Sequence, residues 1–208
     1  MIHGYHVILP MYGFWLPNDP RGSWSEFVRK WELVRFGSAT KRLERHTLDE
    51  LSEPERQQRN AAKKSLKYPA LSIDGNQAVS IAHGFKTKAQ KSNYTIWACS
   101  ILPAHTHLVI ARHTYKVEQI ANLLKGAATS RIVEDGRHPL AKYAEPEERP
   151  PRMWSAQLWK VYLDSDEAIE TAIRYVEENP EKEGKLKQEW TFVTPFAGIT
   201  KGAWVTYH

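Results

Sequence analysis

The pattern of apolar and polar positions along the chain predicts four short strands. "YHVILPMYG" near the N-terminus and "YTIWACSILPAHTHLVIARH" in the middle are mostly apolar, as buried strands are. Pro103 divides the middle segment, because proline suits a turn and cannot donate to a central ladder. That segment therefore predicts two strands, and "WSAQLWKVYLD" predicts a fourth.

Three other segments repeat their apolar residues with the period of a helix. The first is "IDGNQAVSIAHGFKTKAQKSN", and the second is "KVEQIANLLKGAATSRIVEDG", in which Gly136 is a stop signal. The third, "SDEAIETAIRYVEENP", opens with acidic residues and is expected to end before Pro180. A fourth, strongly charged helix is expected to start near Ser52.

The order of these elements predicts an α+β fold. Without the charged segment, it is a ferredoxin-like βαββαβ core, an antiparallel sheet with helices on one side. A C-terminal helix follows that core and carries Tyr175. We expect one domain over residues 1–208, with a helical insertion at about residues 25–68 and a C-terminal tail at residues 190–208.

Composition indicates the kind of partner that the protein binds and the compartment in which we expect it. The 208 residues carry a formal net charge of +5 and include eight tryptophans, which together hint at a polyanion with unpaired bases. Cys99 is the one cysteine, so no intramolecular disulfide can form. No apolar run is long enough to span a bilayer, and the N-terminus has no basic start. We expect no secretory signal, no membrane partner and a cytoplasmic location.

The candidate chemistry begins with His105 and His107. Side chains two apart on a strand point to the same face, so both imidazoles could reach one ion. Two ligands do not complete a site, and histidines at this spacing also occur as ordinary strand residues. A third ligand would have to come from elsewhere in the chain.

The last predicted helix offers that ligand and a nucleophile. Tyr175 and Asn179 are four residues apart, so they stack on one helix face beside its apolar stripe. A tyrosine next to a metal-bound phosphate can act as a nucleophile, because the ion neutralises the charge that it attacks.

These segments together resemble a known family, the HUH single-tyrosine transposases, and especially their REP-associated tyrosine transposase branch. "ILPAHTHLVI" is similar to the family's "MPNHVHLLI", and "YVEENPEKEG" to its "YIxxNPxxAG" helix end. "YHVILPMYGFWLPNDPRGSW" resembles the opening strand and loop of some members, and "LLKGAATSRI" the helix after the histidine strand. The resemblance covers the chain except much of the expected insertion.

The resemblance implies a role for each matching residue. His105, His107 and Asn179 would hold Mg²⁺ or Mn²⁺, and Tyr175 would attack single-stranded DNA to give a 5′-phosphotyrosine link and a free 3′-OH. A later attack by a 3′-OH would rejoin the strand. The implied partner is single-stranded DNA with a hairpin, REP-like or from a transposon end, and it would contact residues including Lys125, Arg131 and Arg21. A monomer and a homodimer stay open.

Other readings of the same residues stay open as well. Thr106 and Ala104 depart from the family's hydrophobe and asparagine, which would suit a degenerate or domesticated hairpin-binding protein. An unrelated metal hydrolase could use the same histidines, with Glu177 or Glu178 as base. A relaxase would place its tyrosine before the histidine strand, at Tyr5 or Tyr12.

Overall fold

The computed structural model describes residues 1–16 and 51–199 of the chain. The chain forms two compact units, Met1–Pro10 with Ile73–His208, and Met11–Ser72. Residues 17–50 and 200–208 lie outside the described part, and so do Arg21, much of the expected insertion and the end of the expected tail.

The first unit contains the sheet and three of the four helices that lie in the described ranges. Its strands are β1 (Gly4–Pro10), β2 (Ile96–Ile101), β3 (His105–Ala111) and β4 (Trp159–Leu163). The helices in chain order are α1 (Glu53–Lys64), α2 (Gly75–Ser92), α3 (Val117–Glu134) and α4 (Asp166–Lys182), with a short 3₁₀ turn at Ala141–Tyr143. No helix among the described residues is both long and apolar enough to cross a bilayer.

The sheet has the strand order β2-β3-β1-β4, and every neighbouring pair is antiparallel. With α2 between β1 and β2 and α3 between β3 and β4, this is the predicted ferredoxin-like βαββαβ core. In the β1–β3 ladder Ile8 is opposite His107 and His6 is opposite Val109. Residues opposite each other share a face of the sheet, so this register fixes which side chains meet.

Helices α2 and α3 cover one face of the sheet. Lys160 of β4 is opposite Val7 of β1 and forms an ion pair with Glu118 of α3, which places α3 on the Val7 face. α2 packs closely on α3 because Gly84 has no side chain. A Cβ at Gly84 would lie 2.6 Å from the Cα of Ala128.

Helix α4 covers the opposite face, where the strands present His6, His107 and Val109. Its apolar stripe packs against the sheet in one buried cluster formed by Ala98, Val109, Leu163, Ile169, Ala172 and Val176. The sheet therefore lies between the α2–α3 pair and the C-terminal helix, which the sequence predicted as an addition to the core.

The predicted end of α4 is wrong, since the helix continues through Pro180 to Lys182. A proline this close to a helix end forfeits one backbone hydrogen bond of the last turns. Gly184, whose φ is +65°, then caps the end of the helix. The Gly184 N–H donates to Glu181 O at 2.9 Å and the Lys185 N–H to Pro180 O at 2.8 Å, the pair of bonds of a Schellman motif.

The chain after α4 runs along the outer edge of β2. The Gln188 side-chain amide accepts a hydrogen bond from Ile101 N and donates one to Ile101 O, each at 2.8 Å. Further on, Thr194 N donates to Ile96 O at 2.8 Å. The described part of the expected tail, up to Ile199, is an extended arm with a single bridge to the sheet, from Val193 to Ile96.

The second unit contains α1, which begins at the predicted start signal. Ser52 and Glu55 form a capping box, and Glu55 Oε2 accepts a hydrogen bond from Ser52 N at 2.9 Å. Leu16 and Ala62 are buried together, with Leu66 packed against them.

Candidate functional site

The two histidines of β3 lie side by side on the face that α4 covers. Strand alternation points His105 and His107 the same way, and their ring centroids are 4.7 Å apart. Both are buried, with exposed fractions of 7% and 2%. The pair predicted from spacing alone is therefore formed in the fold.

A third histidine, His6 of β1, joins this pair. His6 Nε2 and His107 Nδ1 are 3.0 Å apart in a buried hydrogen bond. The β1–β3 register makes the two residues diagonal neighbours on one face, within reach of long side chains. His6 was not among the residues predicted from the sequence. The available signal was a polar residue within a strand that is otherwise apolar, but its partner depends on the register.

Tyr175 of α4 lies against both bonded histidines. Its ring centroid is 5.6 Å from that of His6 and 5.7 Å from that of His107, in edge-on arrangements. The apolar stripe of α4 faces the sheet, and Tyr175 lies at the edge of that stripe, half-buried. The predicted nucleophile and one predicted ligand are thus neighbours.

Asn179 lies on the same row of α4 as two residues that contact the histidines. Tyr175, Asn179 and Glu183 follow at intervals of four, and side chains four apart share a helix face. Tyr175 contacts His107, and Glu183 Oε1 lies 3.7 Å from His105 Nε2. Asn179 therefore lies on the same helix row, between the residues that make these two contacts.

The amide of Asn179 is buried and incompletely bonded. Its exposed fraction is 7%, and its Nδ2 has no hydrogen-bond partner among the described residues. A buried amide without a partner costs free energy, so such groups often mark a place for a ligand. Asn179 was predicted from the sequence as a ligand, whereas Glu183 was not.

The donor set suits a divalent ion in its chemistry. No three His, Cys, Asp or Glu side chains in residues 1–16 and 51–199 are arranged to hold one ion. The predicted ligand set differs from such a group, because it consists of two histidines and the side-chain amide of Asn179. Two imidazoles and an amide oxygen match the preference of Mn²⁺ more closely than that of Mg²⁺, which favours oxygen ligands alone.

The charges around Tyr175 disfavour Glu178 as a general base. Lys182 Nζ donates a hydrogen bond to Glu178 Oε2 at 2.8 Å, and this bond lowers the pKa of the Glu178 carboxyl. A carboxylate with a lowered pKa is a weaker base. Glu178 and Glu177 are also exposed, on the solvent side of α4.

Two of the predicted DNA contacts, Lys125 and Arg131, lie on α3, while Arg21 lies outside the described residues. Lys125 is buried, and its Nζ donates to Ser155 O at 2.9 Å and Gln157 O at 3.4 Å. Burial lowers the pKa of its ammonium to about 8. In this position Lys125 links α3 to the segment before β4, and a DNA contact by its amine stays a prediction. Arg131 forms an ion pair with Asp135 at 3.1 Å on the surface of α3.

Comparisons with known proteins find distant structural similarity. No protein-family model matches the sequence, and no curated protein matches it significantly. One similar structure is a REP-associated tyrosine transposase bound to a REP hairpin, with a TM-score of 0.46 and 12% identity over 91% of this chain and 74% of that one. Another is a candidate transposase from Deinococcus radiodurans, with a TM-score of 0.38 and 11% identity over 86% and 91%.

Proposed function

We propose that the protein is a metal-dependent single-stranded DNA transesterase of the transposase type. The observation that carries this proposal is the position of Tyr175, whose ring lies 5.7 Å from that of His107, beside the His105–His107 pair. A tyrosine can form a covalent intermediate when a neighbouring base or metal ion activates it, and the two imidazoles beside Tyr175 are groups of that kind.

The proposed reaction uses Tyr175 as its nucleophile. The phenolate oxygen of Tyr175 bonds to a DNA phosphorus, the bond from that phosphorus to the 3′ oxygen breaks, and the leaving oxygen takes a proton. The products are a 5′-phosphotyrosine and a free 3′-OH. Attack by a 3′-OH on the phosphotyrosine reverses the step, so no nucleotide cofactor is needed.

The metal part of the proposal rests on His105, His107 and Asn179. These residues would hold Mg²⁺ or Mn²⁺, and the chemistry that such an ion supplies is polarisation of the scissile phosphate. The support is the adjacent imidazole pair on β3, together with the buried position of Asn179 on the helix row that also carries Tyr175.

The proposed substrate is single-stranded DNA that carries a hairpin. The sequence resemblance and the net positive charge support this choice. Arg131 and Arg21 are the proposed backbone contacts; Arg131 is on the surface, and Arg21 lies outside the described residues.

A second candidate is a DNA-hairpin-binding protein that has lost its chemistry. Its support is the two departures from the family pattern, Ala104 and Thr106. However, Thr106 is opposite Leu9 in the β1–β3 ladder and faces α2 and α3, away from the histidines. The substitution at Thr106 therefore leaves the site face unchanged.

Covalent attachment of DNA separates the two candidates. The protein is incubated with Mn²⁺ and a hairpin-bearing single-stranded oligonucleotide, and a denaturing gel is examined for a protein–DNA adduct. We expect the adduct with the wild-type protein and with Tyr162→Phe, which removes an exposed phenol on the opposite sheet face. We expect none with Tyr175→Phe. An adduct in Tyr175→Phe contradicts the nucleophile, and DNA binding without any adduct favours the second candidate.

A further inference from the structure

One hydrogen bond joins the rings of His6 and His107. His6 Nε2 and His107 Nδ1 lie 3.0 Å apart, and both side chains are buried. A neutral imidazole has one N–H and one lone pair, so one of the two rings donates and the other accepts. The direction of this hydrogen bond decides what the other nitrogen of His107 can do.

Only one direction is compatible with metal binding by His107. If His6 donates, a neutral His107 must carry its own proton on Nε2, and it has no lone pair left for an ion. If His107 donates from Nδ1, its Nε2 keeps a lone pair. Histidine ligands in metal sites commonly donate the second ring N–H to a fixed acceptor in this way.

We propose that His6 is a positioning residue that accepts a hydrogen bond from Nδ1–H of His107 and so fixes the tautomer and orientation of that ligand. This inference rests on the proposed function, because it assigns His107 to an ion. It adds a residue on a third element, β1, to a site built from β3 and α4.

The surroundings of His6 hold its ring in place for this role. Its centroid is 5.9 Å from that of Trp159 on β4 and 5.6 Å from that of Tyr175 on α4, both edge-on. His6 therefore contacts the proposed nucleophile and bonds to a proposed ligand with one ring. A rigid acceptor between these two side chains would also fix the distance between them.

Two other histidines supply an internal reference for the tautomer. His138 Nδ1 accepts a hydrogen bond from Leu140 N at 3.2 Å, and His113 Nδ1 accepts one from Tyr115 N at 3.0 Å. A nitrogen that accepts from a backbone N–H carries no proton, so both rings must be protonated on Nε2 when neutral. His107 is expected to be the opposite tautomer.

The first test is ¹⁵N NMR of the histidine rings in the metal-free, full-length protein, at a pH where the rings are neutral. We expect His107 to be protonated on Nδ1, and His113 and His138 on Nε2. Protonation of His107 on Nε2 overturns the inference.

The second test compares Mn²⁺ affinity across variants. His6→Gln places an amide oxygen where Nε2 was, so it keeps a hydrogen-bond acceptor. His6→Phe keeps an aromatic ring but has no acceptor. We expect affinity about 10- to 100-fold weaker in His6→Phe and close to wild type in His6→Gln. His83→Phe, which replaces an exposed histidine of α2, should bind as wild type does.

The outcomes of the second test separate the inference from the proposed function. Equal affinity in wild type and His6→Phe, or equal loss in both His6 variants, overturns the inference and leaves the function standing. If the wild-type protein binds no Mn²⁺, with or without hairpin DNA, the proposed metal dependence is wrong, and so is the inference about His6. If His6→Phe does not fold, loss of affinity in His6→Gln still contradicts the proposal.

Discussion

The ammonium of Lys182 lies 5.3 Å from the centroid of the Tyr175 ring, seven residues further along α4. Lys182→Gln should slow formation of the DNA adduct about two- to fivefold, because a cation over an aromatic ring stabilises a negative charge that forms on it, by an amount typical of exposed cation–π pairs. The measurement is the single-turnover rate at saturating DNA.

Lys185→Gln is the matched control for lost positive charge, since Lys185 is exposed just beyond the helix. Lys182→Arg should keep most of the rate. If Lys185→Gln slows the reaction as much as Lys182→Gln does, the effect is general DNA attraction, and the specific role of Lys182 is wrong.

Thr106→Val should stabilise the protein by about 1 kcal/mol. The Thr106 side chain is fully buried, and its hydroxyl has no hydrogen-bond partner among the described residues. Valine has the same shape without the polar atom. Thr106→Ser keeps the hydroxyl and loses the methyl group, so it should lower stability by about 1 kcal/mol. Urea unfolding measures both, and a less stable valine variant would contradict this account.

Gly84→Ala should lower the free energy of unfolding by about 1–3 kcal/mol. A Cβ there would lie 2.6 Å from the backbone of Ala128, so α2 and α3 would have to separate. Gly126→Ala is the matched control on α3, where a Cβ meets nothing within 4 Å. Alanine at Gly126 should stabilise the protein by up to about 1 kcal/mol, because it favours a helix. Thermal unfolding of both variants checks the contrast, and similar effects would contradict it.

Stability should rise with pH through the range in which Lys125 titrates. Burial lowers its folded pKa to about 8, below the ordinary value of 10.5, so between these pH values the unfolded chain binds more protons than the folded one. Under that condition the free energy of unfolding increases with pH, here by roughly 1–3 kcal/mol.

Lys125→Met isolates this contribution, since methionine fills much of the same volume and does not titrate. The difference in unfolding free energy, wild type minus Lys125→Met, should increase from pH 8 to pH 10.5 and stay flat from pH 6 to pH 7.5. A difference that stays flat over the whole range would contradict the buried position of Lys125.

Local sequence carried the information for most elements of the fold. The β-branched run divided by Pro103 predicted β2 and β3. In the structure β2 ends at Ile101 and β3 begins at His105. The stripe that begins at Val117 predicted α3 and its buried face. These features depend on residues close together in the chain, which is why periodicity finds them.

The features that were missed depend on contacts across the fold. The bond from His6 to His107 needs the β1–β3 register, and burial of Lys125 needs the segment before β4. The error at Pro180 has a local cause: a proline near a helix end was taken as its stop, while Gly184, four residues later, forms the actual cap.

The bonds between Gln188 and Ile101 have a consequence for self-association. An unpaired strand edge can template a strand from another molecule, and here the amide of Gln188 occupies the N–H and C=O of Ile101 while Thr194 bonds to Ile96 at the other end of β2. The β2 edge is therefore closed by the chain's own arm. Among the described residues, the other outer strand of the sheet is β4, where Val161 and Tyr162 are exposed, so a second copy that extended the sheet would join there.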